Sequence, residues 1–283
     1  MNEVFSVPMS LGGLSNCESH VSDMLSRPYD EALEHVRSQD VAHADETGWR
    51  RGNRRRGWLW TLCGTTAAVF MVHAKRGHQA ARELLGEFLG TLVSDRWCGY
   101  SFFTGARQIC WAHLKRDFKA TSEAGGELGR IGEELYGLSK KILKLRKRVR
   151  DGTLQWGTFQ NRMTPLMDRV EELLARGAIS DDKMSGKCRD ILRHHEHLWT
   201  FAMDKSVEPT NNTAERAVRQ GVLWRKTSFG TQSERGARYV ERILTVCATC
   251  RLQGRSTIDY LRDACCCHFA GMPAPLLIQS ARN

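Results

Sequence analysis

Three short apolar runs separated by tight breaks occupy residues 41–72, and they constrain the fold more than any other part of the chain. The first run alternates from Val41 and ends at Gly48, the second covers Trp58–Cys63, and the third covers Ala67–Val72. A basic, glycine-containing turn over 50–57 separates the first two runs. Strand-length runs joined by short connections predict a three-stranded antiparallel meander.

The next part of the chain changes its period several times. Helical spacing predicts a helix over 79–89, and a short apolar strand follows over 91–95. A connector over 100–104 leads to another short strand, 107–111, and the chain turns helical from His113. Three antiparallel strands followed by crossover connections predict an α/β fold with a mixed sheet covered by helices.

Residues 125–204 contain no strand-like run, so we expect a purely helical segment that interrupts the α/β region. Within it, the run 139–150 carries seven basic residues among apolar ones. Two interpretations stay open for this run: a solvated helix face, or a helix that faces phosphate groups. Two further helices are predicted over 235–252 and 257–268.

The net charge favours a polyanionic partner, because 42 Lys and Arg residues against 32 Asp and Glu give +10 over 283 residues. Hydrophobic residues make up 41% of the chain, which excludes global disorder. No apolar run approaches the roughly 18 residues of a membrane span. The first residues lack the charged start and apolar centre of a signal peptide, so we expect a cytosolic protein without membrane association.

Ten cysteines without a secretory signal indicate reduced thiols rather than a disulfide framework. Two spacings suit a metal ion: Cys110-x-x-His113, just after the last predicted strand, and Cys247-x-x-Cys250, on a predicted helix. Neither has the second pair that a zinc ribbon requires. Core packing is the better interpretation for the helical pair.

Two acids, Asp45 and Asp95, follow apolar strand patterns and are predicted at strand ends. Carboxylates presented together at strand ends suit a divalent cation, whereas a single aspartate in such a place more often stabilises a turn. Glu215 is the candidate for a third ligand. It also fits a capping box, with Asn212 as N-cap and Glu215 at the third helical position.

A basic cluster follows Glu215 within eleven residues and includes an aromatic side chain. Its candidate DNA-binding residues are Arg216, Arg219, Trp224, Arg225 and Lys226. Basic residues interleaved with an aromatic match what a phosphate backbone and an unstacked base would meet. The alternative is a solvated helix face with a buried tryptophan.

Four strings, taken together, are far more specific than these parts. They are HADETGW at 43–49, VSDRWCGY at 93–100, CWAHLKRDF at 110–118, and EPTNNTAERAVR at 208–219 followed by WRKTSFGTQSERGA at 224–237. In this order the chain resembles the catalytic region of the insertion-sequence-66 family of bacterial DDE transposases, from about residue 5 to residue 275.

The resemblance implies an RNase H-like core, with a mixed five-stranded sheet flanked by helices and a helical insertion before the last acid. It assigns the catalytic and metal-binding acids to Asp45, Asp95 and Glu215, with two Mg²⁺ or Mn²⁺ ions as cofactors. It implies DNA cleavage and strand transfer at transposon ends and target DNA, at the nucleoid, by an oligomer that works with accessory proteins of the element. For Cys110 and His113 it implies a structural or DNA-contacting role.

The resemblance also divides the chain. It implies a helical lead-in (1–38), the first part of the core (39–124), the insertion (125–204), the last part of the core with the Glu215 helix (205–254), and a C-terminal helix and tail (255–283). Family members carry an N-terminal DNA-binding segment that this chain is expected to lack. Two alternatives to an active transposase are therefore a non-cutting DNA-binding remnant and a general RNase H-like nuclease.

Overall fold

A computed structural model describes residues 8–52, 55–180 and 185–279. The strands are β1 Val41–Arg51, β2 Arg55–Cys63, β3 Ala68–His73, β4 Thr91–Ser94 and β5 Arg107–Ile109. The helices are α1 Leu11–Met24, α2 Ser26–Arg37, α3 His78–Leu85, α4 Trp111–Ser122, α5 Gly126–Arg150, α6 Trp156–Ala178, α7 Ser185–Leu192, α8 Thr200–Met203, α9 Asn212–Ser228, α10 Glu234–Leu252 and α11 Thr257–Phe269. Short 3₁₀ turns cover Cys98–Tyr100 and His195–His197.

The five strands form one sheet in the order β3-β2-β1-β4-β5. Strand β2 pairs antiparallel with both β1 and β3, whereas β4 and β5 are parallel. The sheet is therefore mixed, and helices flank it. This confirms the predicted α/β fold and agrees with an RNase H-like arrangement.

The predicted order of strands and helices is confirmed in the described residues, but the prediction of a turn over the whole of 50–57 is wrong. Strand β1 continues past Gly48 to Arg51, and β2 already begins at Arg55, so most of the arginines lie on paired strands. Residues 53–54 of that turn lie outside the described residues, as do 1–7 of the lead-in and 280–283 of the tail. None of the described helices has the length and apolar character that crossing a membrane requires.

The chain divides into two compact units. The first comprises 1–90, 99–102 and 212–283. Its core lies between one face of the meander and the helices α9 and α10, where alternate residues of β3 (Ala68, Phe70 and Val72) pack on Ala237 and Leu244 of α10. This alternation follows from the two-residue period of a strand, which sends every second side chain to the same face.

The second unit comprises 91–98 and 103–211, and therefore contains β4, β5 and the predicted helical segment. Helices α5 and α6 form a long pair, and α4 packs on α5. Close approach of α4 and α5 depends on Gly132, because a Cβ there would lie 2.4 Å from the backbone nitrogen of Ser122. Aromatic rings fill the core, with Trp111 and Trp199 centred 4.9 Å apart.

Candidate active site

The sequence predicted Asp45 at the end of a strand, but the residue lies inside one. It is the fifth residue of β1, which has 11 residues, and it pairs with Thr61 of β2. The side chain is half-buried, and its Oδ1 accepts a hydrogen bond of 2.9 Å from the Glu46 backbone N–H. The pairing of β1 with β2 continues to Arg51, so the backbone on both sides of this carboxylate is held in an extended conformation.

The neighbouring acid, Glu46, forms a buried ion-pair network that the sequence reasoning missed. Its side chain is 2% exposed and lies 2.6 Å from the Arg76 guanidinium, and it accepts a 2.9 Å hydrogen bond from the Tyr100 hydroxyl. Because the two partners are distant in sequence, no local spacing could have revealed them. An ionised residue inside an apolar strand pattern was the available signal, since a buried charge requires a partner.

Asp95 is the first residue after β4, as predicted. Its Oδ1 accepts a hydrogen bond of 2.9 Å from the Trp97 backbone N–H, which stabilises the turn that follows the strand. The buried Arg107 donates to the Ser94 hydroxyl at 3.2 Å, and the same hydroxyl donates to the Asp95 carbonyl oxygen at 3.0 Å. Asp95 therefore occupies a well-defined position at the carboxyl end of its strand.

Glu215 lies on α9, which packs against β1 and β2 of the same unit. The helix begins at Asn212, so Asn212 is already helical and Glu215 is the fourth residue. The helix therefore begins one residue earlier than the predicted capping box requires. The carboxylate is half-buried. The fold thus places Asp45 and Glu215 on two elements that are in contact.

Two contacts fix α9 on the strands. Gly221 faces Leu59 so closely that a Cβ at this position would lie 2.1 Å from Leu59 Cδ2. Arg225, near the end of the helix, donates to the Gly48 carbonyl oxygen and, at 3.3 Å, to the Thr47 hydroxyl. Arg225 therefore holds the helix against β1, a role that the sequence did not indicate.

The remaining residues of the predicted basic cluster divide into two groups. Arg216, Arg219 and Lys226 are exposed, and their spacing places them on one helix face. Trp224 is half-buried, packs against the core of its unit, and meets the Tyr239 ring edge-on at 6.2 Å. For Trp224, this geometry favours the buried-tryptophan interpretation.

The basic run on α5 is also mixed. Arg146 is buried and donates to the carbonyl oxygens of Lys205 (2.7 Å) and Val207 (3.1 Å), and it lies 3.3 Å from the Glu208 carboxylate. It thereby holds the segment that leads towards α9. Other basic residues of this run are exposed: Lys140, Lys141, Lys144, Lys147 and Arg150.

Cys110 and His113 flank the start of α4. Cys110 is fully buried, and its Sγ accepts a hydrogen bond of 3.2 Å from the Asn211 backbone N–H, while the Trp111 N–H donates to the Pro209 carbonyl oxygen at 2.8 Å. His113 is half-buried in the first helical turn. Cys110 thereby ties the start of α4 to Asn211 of the same unit.

Several of the other cysteines are buried in the core. All ten are free thiols. Burial raises the pKa of Cys63 to about 12, and burial also raises the pKa of Cys250. A thiol with a raised pKa stays protonated, which makes it a poor nucleophile and a poor metal ligand. Packing is thus the role that the structure supports for Cys247 and Cys250.

As a donor set, Asp45, Asp95 and Glu215 fit a hard divalent cation. All three offer carboxylate oxygens, the ligands that Mg²⁺ and Mn²⁺ prefer. Each side chain is half-buried, so none of the three is a freely moving surface carboxylate.

The comparisons with known proteins identify the family of this chain. A family model described as the IS66 family of transposases matches residues 1–239. Among curated proteins, an uncharacterized Sinorhizobium fredii protein, y4qI, is 26% identical over an alignment of 302 residues. This alignment covers 95% of this chain and 55% of the relative. A second one, y4hP, is 25% identical over 297 residues, with 91% and 53% covered. The chain spans about half the length of the curated relatives it matches, and no solved structure matches it significantly.

Proposed function

Because this chain belongs to the IS66 family of transposases, we propose that it carries out the DNA cleavage and strand transfer of insertion-sequence transposition as a DDE-type enzyme. The observation that carries the proposal is the placement of Asp45 and Glu215 on β1 and α9, two elements in contact, each with a half-buried carboxylate. Asp95, fixed at the end of β4, completes the acid set.

In this proposal the three acids hold two Mg²⁺ or Mn²⁺ ions. Two such ions, when bound, supply an activated water and stabilise the leaving oxygen of a phosphodiester. The protein contributes the rigid placement of the acids. Asp45 is held by strand pairing, Asp95 by the Trp97 N–H, and Glu215 by the docking of its helix.

Exposed cations on α9 supply the phosphate contacts of the substrate. Arg216, Arg219 and Lys226 share one face of the helix that carries Glu215, and each neutralised phosphate releases counterions. Arg225 acts on the helix and not on DNA, and Cys110 acts as a packing residue. The substrates are transposon-end and target DNA at the nucleoid, bound by an oligomer of this chain, and the element's accessory proteins take part.

The acids are tested by Asp45→Asn, Asp95→Asn and Glu215→Gln in the full chain, with Asp168→Asn on the exposed side of α6 as the matched control. We expect each of the three to abolish Mg²⁺-dependent cleavage of transposon-end DNA and to weaken Mn²⁺ binding in calorimetry, with the melting temperature retained. The control should cleave and bind like the wild type. A variant that cleaves normally removes its residue from the site.

The same assay separates the alternative functions. A transposase cuts transposon-end DNA in preference to random duplex, whereas a general nuclease cuts both equally. A DNA-binding remnant binds DNA and cuts neither, even though it carries all three acids.

A further inference from the structure

The end of the β1–β2 hairpin concentrates positive charge in a way that costs stability. Arg50 lies directly opposite Arg56, and Arg51 lies directly opposite Arg55. Like charges in opposite cross-strand positions repel each other. Among the described residues, Glu234 pairs with Arg51, and no carboxylate lies within ion-pair distance of the other three arginines. Arg56 lies over the Trp58 ring at 4.9 Å, and an anion bound near the remaining arginines would relieve their repulsion.

The loop between α9 and α10 is fixed against this hairpin end. The Thr231 N–H donates to the Arg50 carbonyl oxygen at 2.9 Å, and the indole N–H of Trp49 donates to the Thr231 hydroxyl at 3.2 Å. Gly230 has a φ of 99°, and a Cβ there would lie 2.2 Å from the Arg50 carbonyl oxygen. Hairpin and loop enclose a cleft of about 380 Å³, which Arg51, Gly52, Arg55 and residues 231–234 line.

Phe229, at the tip of this loop, has an exposed ring on an unfavourable backbone. It follows α9 directly, its side chain is 65% exposed, and its φ is 58°. Glycine is the residue that favours this left-handed conformation after a helix. A phenylalanine here has an unfavourable backbone conformation and its ring is not buried, whereas Trp224 of the same segment packs into the core. Because the next residue, Gly230, contacts Arg50, the exposed ring lies near the basic hairpin end, an arrangement that suits a nucleobase flanked by phosphates.

We propose that the face of the hairpin end beside this loop, formed by Arg55, Lys226 and Phe229, binds single-stranded DNA, with an unpaired base stacked on Phe229 and the basic side chains on the flanking phosphates. The choice of DNA over RNA rests on the proposed function. Aromatic stacking is tolerant of sequence because every base has a π-face. A flat anionic surface such as a lipid headgroup layer would use the arginines and would not require a single exposed ring.

The test uses the full chain without divalent metal, so that binding is measured independently of cleavage. Phe229→Gly removes the ring and places glycine, which adopts a positive φ readily, at this position. Phe229→Asn also removes the ring, and asparagine likewise tolerates a positive φ. Fluorescence anisotropy reports binding of a single-stranded oligonucleotide, and an internal 2-aminopurine reports stacking. Phe269→Gly, at the exposed end of α11, is the control.

We expect Phe229→Gly and Phe229→Asn to weaken single-strand binding about 5- to 100-fold and to abolish 2-aminopurine quenching. Blunt duplex binding and the melting temperature should be retained, and the control should be unchanged. Phe229→Trp should restore quenching. Arg55→Ala should reduce the salt slope of binding by about one.

Wild-type affinity and quenching in both ring-deleted variants would overturn the stacking role. Equal losses for single strand and duplex, with a lowered melting temperature, would show a structural role instead. An unchanged salt slope in Arg55→Ala would overturn the phosphate contact. If the variants lost binding to phosphatidylserine vesicles but kept their binding to the single strand, the surface would bind membranes and the proposal would be wrong. Asp45→Asn should bind the oligonucleotide like the wild type, so failure of the catalytic proposal and failure of this one remain distinguishable.

Discussion

The edge strand β3 depends on side chains of α10 for its outward N–H groups. Every second residue of the strand donates to a side chain on the helix: Val72 to Glu241 Oε1 (2.7 Å), Phe70 to Thr245 Oγ1 (3.1 Å) and Ala68 to Thr249 Oγ1 (3.2 Å). Two residues of a strand rise about 6.8 Å and four residues of a helix about 6 Å, so the two spacings nearly match. Side chains of α10 thus accept the hydrogen bonds that a sixth strand would otherwise accept.

Replacing Thr245 with valine preserves the shape and β-branching of this side chain and removes only the hydroxyl. The Phe70 N–H is then left buried without its acceptor, because both residues are fully buried. An unsatisfied buried donor costs about 1–3 kcal/mol. For a chain of this size, each kcal/mol lowers the melting temperature by about 2–4 °C, so we expect a decrease of about 2–12 °C.

The matched control is Thr164→Val on α6, where an exposed threonine hydroxyl donates to the Gln160 carbonyl oxygen four residues earlier, just as Thr245 does to Glu241. It should change stability by less than about 0.5 kcal/mol. Circular-dichroism melts and urea titrations measure both variants, and hydrogen exchange of the β3 peptide locates the effect. If Thr245→Val matched the control in stability and left exchange over residues 68–73 unchanged, the helix would not be stabilising this edge.

Further outcomes follow from packing and burial. Gly132→Ala should destabilise the chain by about 1–3 kcal/mol in urea titrations, because the new methyl group meets the Ser122 backbone. Gly137→Ala on the same helix meets no atom within 4 Å and should stabilise it by about 0.5–1 kcal/mol. Burial raises the pKa of Glu241 above 4.5, so its contribution to stability is present below that pH and is lost as pH rises through the raised value. Glu241→Gln, whose amide oxygen still accepts from the Val72 N–H, should flatten the pH dependence of the melting temperature in that window.

Most of the fold could be predicted because strand and helix periods alternate clearly along the chain. The meander over 41–72 and the helical segment over 125–204 were read from apolar spacing alone. The hairpin end was missed because a run of arginines with a glycine looks like a turn to any local rule. Its strand character comes from the β1–β2 register, in which arginine faces arginine, a pairing that local propensity disfavours.

The candidate site was less accessible to sequence reasoning. The three acids were singled out by residue type and ordered by family resemblance, whereas the network around Glu46 joins Arg76 and Tyr100 through tertiary contacts. Trp224 was also assigned by its proximity in sequence to Glu215. Whether Trp224 faces solvent depends on how α9 is rotated on the sheet, which no spacing rule determines.

That rotation is set at the far end of the helix that carries Glu215. Gly221 and Arg225 lie roughly two and three turns after the glutamate, and they fix α9 on Leu59 and on the Gly48 carbonyl oxygen. We therefore expect a change at either position to shift the Glu215 carboxylate, although neither residue is adjacent to it in the helix. The basic string around Glu215 consequently contains two kinds of residue, those that hold the helix and those that face solvent. Distance from Glu215 along the sequence does not distinguish between them, because one turn of a helix carries both faces.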